Sequence, residues 1–303
     1  MIYTSENNWY YWNYNKVPFS RQNGNQKFTT TFSPSKISVG NFKDELKKAA
    51  ASTLDLYSDL KPSILFSGGL DSEIMLRSYL EIGASPNVYV FRYENNYNIY
   101  DVSYAINICS ILNIDYTIID FNLKKFFENE AERYSELSQI DRPKALPYCK
   151  FIEIIDGLPI LGGSDLTLMR ADDDYTKKGI WFNRCWEHDI GWSKFIRAIE
   201  KPAIGEWFKW TPGLVLSFLE LEWCKNLVND RIYGKLGTNS SKISGYREAY
   251  PDLLYREKKT GFEDVDDMMN EYEEFLSKKY NGLIFRNEYD RPISELESIN
   301  GGT

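Results

Sequence analysis

The chain has 303 residues, and 36 basic side chains against 44 acidic ones give a formal charge of −8, a balance that argues against general affinity for nucleic acid. With 43% hydrophobic and 16% aromatic residues it is not a disordered chain, and its length allows one large domain or two unequal ones. No apolar run reaches the roughly 18 residues of a membrane helix, and no basic stretch followed by an apolar one marks a signal peptide.

The first elements are strand-like. Asn8 to Tyr14 is aromatic and polar, Lys27 to Phe32 is rich in Thr and Phe, and Asn23-Gly24 lies between them. Two strand-prone segments around an Asn-Gly turn predict a hairpin within residues 1–40. Its aromatic side chains either pack it onto a neighbouring domain or offer a stacking surface. From Asn41 the pattern turns helical, with Phe42, Leu46, Ala49, Ala50, Leu54 and Leu56 on one stripe and Asp44 and Glu45 in the first turn. Pro62 stops this helix. Ser63 to Phe66 is a short apolar run, read as a buried strand. A Gly-rich turn leads into a helix over Asp71 to Ile82, closed by Gly83. Asn87 to Tyr93 is a second strand, Val102 to Leu112 a helix, and Tyr116 to Asp120 a third strand. Phe151 to Ile155 is helical or mixed, and Leu158 to Leu161 is a fourth strand ending at Gly162-Gly163.

Alternating short strands and helices predict an α/β fold with a parallel, doubly wound sheet. Residues 41–303 form its domain, with a helical part from about residue 180. Leu214 to Val228 is one strong helical stretch there, Met268 to Lys279 another, and Ser298 to Thr303 reads as a frayed tail. Ligands in such sheets bind beyond the carboxyl ends of the strands, where the glycine turns after Phe66 and after Leu161 fall. Cys109, Cys149, Cys185 and Cys224 form no CxxC pair, so zinc and dithiol chemistry are not indicated and buried thiols in a reducing cytoplasm are expected. The Asp172-Asp173-Asp174 run is either a cation site or a solvated loop.

The richest segment is Ser67-Gly68-Gly69-Leu70-Asp71-Ser72, between a strand and a helix. Two glycines let the backbone approach an anion, successive N–H groups form a nest, and the helix N-terminus adds its dipole. Ser67 and Ser72 can donate hydroxyl hydrogen bonds to phosphate. Asp71 repels a polyphosphate unless a cation lies between them, and Mg²⁺ takes both kinds of oxygen. The turn lacks the spacing and lysine of a Walker loop and is not Gly-x-Gly-x-x-Gly.

This hexapeptide resembles the signature of the PP-loop ATP pyrophosphatases, and further segments resemble the synthetase domain of asparagine synthetase. Pro159 to Leu166 corresponds to a strand and a Gly-rich loop whose aspartate, here Asp165, joins the PP-loop aspartate on magnesium. Tyr255-Arg256-Glu257-Lys258-Lys259-Thr260-Gly261-Phe262 resembles a segment whose lysine balances charge as pyrophosphate leaves. Lys258 is the better match and Lys259 the fallback. Lys242 to Pro251 resembles the helix leading into it. The resemblance implies an adenine nucleotide alpha hydrolase-like fold, with ATP and Mg²⁺ as co-substrate and cofactor. It also implies nucleotide contacts from Phe66, the Ser67–Ser72 turn, Phe91 and Gly163.

The implied reaction adenylates a substrate carboxylate, releases pyrophosphate and forms an amide with ammonia or another amine. About forty residues precede the first helix, too few for the glutaminase domain of full-length asparagine synthetases. The amine is then expected from free ammonia, a separate donor protein or a co-substrate. Gly162 and Leu166 replace the two glutamates of the family's Gly-Glu-Gly-Ser-Asp-Glu pattern, which counts against aspartate as substrate. His188 is a general base or a structural residue, and Arg142 and Arg170 are carboxylate ligands or surface residues. The alternatives are a nucleobase- or tRNA-modifying PP-loop enzyme, which the charge and cysteine spacing oppose, and a non-catalytic nucleotide-binding module. No membrane or nucleic-acid partner is expected, and a homo-oligomer is compatible with the sequence.

Overall fold

The structure, a computed structural model, describes residues 9–15, 17–18, 21, 25–33, 37–163, 167–170, 181–224, 239–256, 265–280 and 288–292. Asn23-Gly24, Asp165, Asp172 to Asp174, Lys258, Lys259 and the Ser298 to Thr303 tail lie outside these residues.

The chain opens with strands β1 (Tyr10–Tyr14), β2 (Val17–Pro18) and β3 (Phe28–Phe32). β1 pairs antiparallel with β3 in register Trp12 to Thr30, as the sequence leads one to expect. The simple hairpin is corrected, because β2 occupies the other edge of β1. The reversal lies at Asn15, which adopts a left-handed φ of 47° that asparagine tolerates. Its side-chain oxygen accepts from the Lys27 N–H at 3.0 Å. Alternate residues Tyr10, Trp12, Tyr14, Phe28, Thr30 and Phe32 are buried, the period of a strand packed on one face.

Helix α1 (Phe42–Leu56) begins at Asn41, whose side chain caps the Asp44 N–H at 2.9 Å. Then follow β4 (Pro62–Leu65), α2 (Leu70–Glu81), β5 (Asn87–Tyr93), α3 (Ile99–Ile111) and β6 (Thr117–Phe121). After them come α4 (Leu123–Asn129), α5 (Ala131–Ser138), α6 (Leu146–Ile154) and β7 (Leu158–Ile160). The segment read as helical or mixed is therefore the second half of α6. Strands β6-β5-β4-β7 form one parallel sheet in that order. All four residues of β4 are buried, as a central parallel strand requires. The chain runs outward from β4 to β5 to β6 and returns to the other side of β4 as β7. The order reverses between β4 and β7, which makes the cleft beyond their carboxyl ends the topological switch point. Ile204 makes a parallel bridge with Ile160 and extends the sheet past β7.

The remaining elements are β8 (Thr167–Arg170), β9 (Trp181–Trp186), α7 (Gly191–Ala198), α8 (Pro212–Leu219), α9 (Asn239–Ala249), α10 (Asp266–Lys279) and β10 (Glu288–Pro292). β8, β9 and β10 make an antiparallel sheet, and β9 and β10 fall within the part from about residue 180 read from sequence as mainly helical, which also carries α7 to α10. The long stretch from Leu214 is interrupted, since α8 ends at Leu219 and a turn at Glu220 and Leu221 precedes the next helical residues. Among the described residues no helix is long and apolar enough to cross a membrane.

Candidate functional site

The Ser67–Ser72 turn leaves the carboxyl end of β4 at the switch point. Phe66 is fully buried, and its N–H donates to the Tyr89 carbonyl at 2.8 Å, which carries the strand pairing up to the start of the turn. Gly68 has a φ of +75°, and a Cβ there would stand 2.2 Å from the Asp101 carbonyl oxygen. Both facts require glycine. The collision is with the first turn of α3, which Asn98 fixes to the end of β5. The Asn98 side chain donates to the Phe91 carbonyl and accepts from the Tyr93 N–H, each at 2.8 Å.

Gly69 is the N-cap of α2 and offers no side chain to the helix end. The first-turn N–H groups of α2 are thus left uncapped by any side chain, with the positive end of the helix dipole behind them. The Ser67 and Ser72 hydroxyls lie 3.1 Å apart across the turn, and Ser72 also donates to the Gly69 carbonyl at 3.0 Å. Two hydroxyls and the first-turn backbone N–H groups of α2 therefore lie on one short turn, a donor set suited to phosphate oxygens.

Asp71 is half-buried and held by α9. The Tyr246 hydroxyl donates to its Oδ1 at 2.5 Å, and the Lys242 ammonium stands 3.6 Å from its Oδ2. The Tyr246 ring is buried and stacks on Phe42 with centroids 6.2 Å apart. Two residues along α2, Glu73 is fully buried between Arg77, at 2.8 Å, and the buried Arg256. Arg77 passes the connection to Asp252 at 2.8 Å. The start of α2 is thereby joined to residues 239–256 at two points.

Across the switch point, Gly163 has a φ of +73°, and a Cβ there would meet the Glu206 Cα at 2.7 Å. Gly162 accepts from the Phe208 N–H at 3.1 Å. Glu206 is fully buried, with Ser193 3.3 Å from Oε1 and the Lys209 ammonium 3.6 Å from Oε2. Burial pushes its carboxyl up and Asp189 adds to this, while Lys209 and Ser193 only partly oppose.

The structure brings Phe66, Ser67, Gly68, Gly69, Leu70, Asp71 and Ser72 into one turn, with Gly163 at the end of the neighbouring strand. Asp165, Lys258 and Lys259 lie outside the described residues. The Phe91 ring belongs to the core, stacked on Phe121 at 4.9 Å and edge-on to Phe151. Its carbonyl already accepts from Asn98, so a base could use only the remaining lone pair. His188 is buried, 3.2 Å from the Asp189 carboxylate in the short turn before α7. Arg142 is exposed. Cys109, Cys149 and Cys224 are buried, and burial pushes the Cys109 thiol up to about 11, the reverse of an activated thiol.

Sequence reasoning missed Lys242, Tyr246, Glu73 and Arg256 as site residues. Lys242 and Tyr246 are four apart on one helix, a spacing that puts both side chains on the same face. A divalent cation fits the chemistry of the turn through Asp71, whose carboxylate is an oxygen ligand of the kind Mg²⁺ takes and has the Lys242 ammonium no nearer than 3.6 Å. Among the described residues no group of three or more metal-ligating side chains occurs.

No family model matches the chain. No curated protein matches it. Among solved structures it is similar to the NMN synthetase from Francisella tularensis, at 12% identity and a TM-score of 0.32, over 79% of this chain and 92% of that one. A likeness of that depth adds nothing to the site, which is read from its own residues.

Proposed function

We propose that the chain is an ATP-dependent, AMP-forming ligase that activates a substrate carboxylate and joins it to ammonia or another amine. One observation carries this reading. A Ser-Gly-Gly-Leu-Asp-Ser turn with uncapped helix N–H groups and two facing hydroxyls lies at the switch point of a parallel sheet, with a carboxylate on its rim. The turn suits the β and γ phosphates, and that orientation leaves the α phosphorus open to attack.

In this reading Ser67, Ser72 and the N–H groups from Gly69 to Ser72 bind the pyrophosphate end. Asp71 would hold Mg²⁺, together with Asp165 by resemblance. When bound, the ion screens the phosphate charge and stabilises the departing pyrophosphate. A carboxylate oxygen forms a bond to the α phosphorus as the bond to the bridging oxygen breaks and pyrophosphate leaves. The amine nitrogen then bonds to the acyl carbon, the bond to AMP breaks, and the amine proton passes to solvent or a nearby base. Lys258, or Lys259 beside it, balances charge on the leaving group. No protein nucleophile is required, since positioning and charge stabilisation supply the acceleration.

The test is product analysis with ATP and Mg²⁺ across a panel of carboxylates and amines. AMP and pyrophosphate should form in equal amounts, and only with an accepted carboxylate. ADP and orthophosphate as products, or no AMP with any acceptor, would count against the reading.

A further inference from the structure

Two acids in the first turn of α2 each face a cation from residues 239–256, and the two pairs differ in kind. Glu73 and Arg256 have side chains 0% and 1% exposed. Both groups are out of water and Arg77 holds the other oxygen of Glu73, so this pair has no solvent-facing route to a new partner. Asp71 and Lys242 are 39% and 14% exposed, and their closest approach is 3.6 Å. That distance lies beyond a good charge-assisted hydrogen bond, and a partly solvated pair of this kind contributes little. The Asp71 pair is the one able to exchange partners.

The surroundings favour exchange at Lys242 rather than movement of the helix. Tyr246, one turn along α9, is buried on Phe42 and holds Oδ1 of Asp71 at 2.5 Å. Arg247 donates to the Leu253 carbonyl at 2.7 Å and 3.0 Å. The Tyr246 contact anchors α9 beside Asp71, and a change of partner at Lys242 is a movement of its four-carbon stem. A polyphosphate carries more charge than one carboxylate, and Asp71, which Lys242 faces at 3.6 Å, is itself a residue of the Ser67–Ser72 turn.

We infer that Lys242 is a phosphate-binding residue that exchanges partners. Its ammonium neutralises Asp71 in the structure, and it passes to a phosphate oxygen when a magnesium-bound polyphosphate enters the Ser67–Ser72 turn. Asp71, still oriented by Tyr246, is then left to the cation. The inference rests on the nucleotide reading above and adds a residue and a sequence of contacts to it.

The experiment is calorimetric titration of the full chain with pyrophosphate in excess Mg²⁺, with thermal unfolding measured in the absence of pyrophosphate. Lys242→Met should bind pyrophosphate roughly tenfold to a hundredfold more weakly, the loss of one charge-assisted contact. Lys242→Arg should recover most of that loss, and neither variant should shift the unfolding temperature by more than about a degree. Parent-like binding by Lys242→Met would overturn the inference. So would weaker binding accompanied by a large drop in unfolding temperature, which would mark Lys242 as structural. Failure of the parent protein to bind either pyrophosphate or ATP would instead remove the nucleotide reading itself.

Discussion

Asp71 and Gly68 concentrate the chemistry at the scale of single residues. Asp71→Asn keeps the shape and the Tyr246 contact but removes the charge that a divalent cation needs. AMP formation, measured by chromatography, should fall at least a hundredfold in that variant. Gly68→Ala should abolish nucleotide binding, because the added carbon would stand 2.2 Å from the Asp101 carbonyl at a φ of +75°. Calorimetry with ATP would detect either outcome. Lys258→Ala should lower turnover by orders of magnitude while leaving the dissociation constant for ATP nearly unchanged, a split that steady-state and binding measurements resolve together. The turn was legible in the sequence, because six consecutive residues carry its chemistry. The Tyr246 contact was not, since it joins positions 175 apart and no local pattern encodes such a pairing.

Elements were legible wherever periodicity had room to repeat. α1, α2, β5 and α10 follow the sequence expectations to within a few residues; α1 and α2 bury apolar faces, β5 buries Val88, Val90, Phe91 and Tyr93, and α10 buries Met269 and Leu276 on one face. α4 and α5 escaped notice because they span seven and eight residues, too short for a stripe to declare itself. α5 also ends at Gln139 in a left-handed conformation, where the sequence shows no glycine. β9 and β10 escaped because their pairing is non-local, with Glu288 opposite Trp186. The joint between α2 and the segment after α9 gives the clearest prediction at this scale. Arg256→Met should destabilise the fold by about 1–3 kcal/mol, because it leaves one oxygen of the buried Glu73 carboxylate without its partner while Arg77 still holds the other. Glu73→Leu combined with Arg256→Met should recover much of that loss. Urea unfolding of the parent and both variants measures the difference, and equal midpoints for the single variant and the parent would contradict the assignment.

Over the whole molecule, the N-terminal sheet is tied to the rest through Glu187. Its carboxylate accepts from Tyr14 at 2.8 Å, from Arg21 at 2.5 Å and 2.9 Å, and from Lys194 at 3.1 Å. Burial alone would push this carboxyl up, yet Lys194, Arg21 and Tyr14 together hold it below the ordinary glutamate value of 4.5. A depressed folded value means that the unfolded chain takes up the proton first as pH falls. The contribution is therefore complete above about pH 4.5 and is lost as pH falls through the lower folded value. The unfolding midpoint should drop over that window, and Glu187→Gln should start lower and lose less across it. The same polar cluster shows why the docking was illegible beforehand: Arg21, Glu187 and Lys194 become partners only once the strands have folded. The parallel sheet was legible because its strands are short apolar runs between helices, and its switch point follows from the order of four strands. The most direct measurement on the central claim is a crystal structure of the full chain with Mg²⁺ and a non-hydrolysable ATP analogue. The account predicts the terminal phosphates within hydrogen-bonding distance of the N–H groups from Gly69 to Ser72 and of the Ser67 and Ser72 hydroxyls. An analogue bound elsewhere with that turn empty would contradict it.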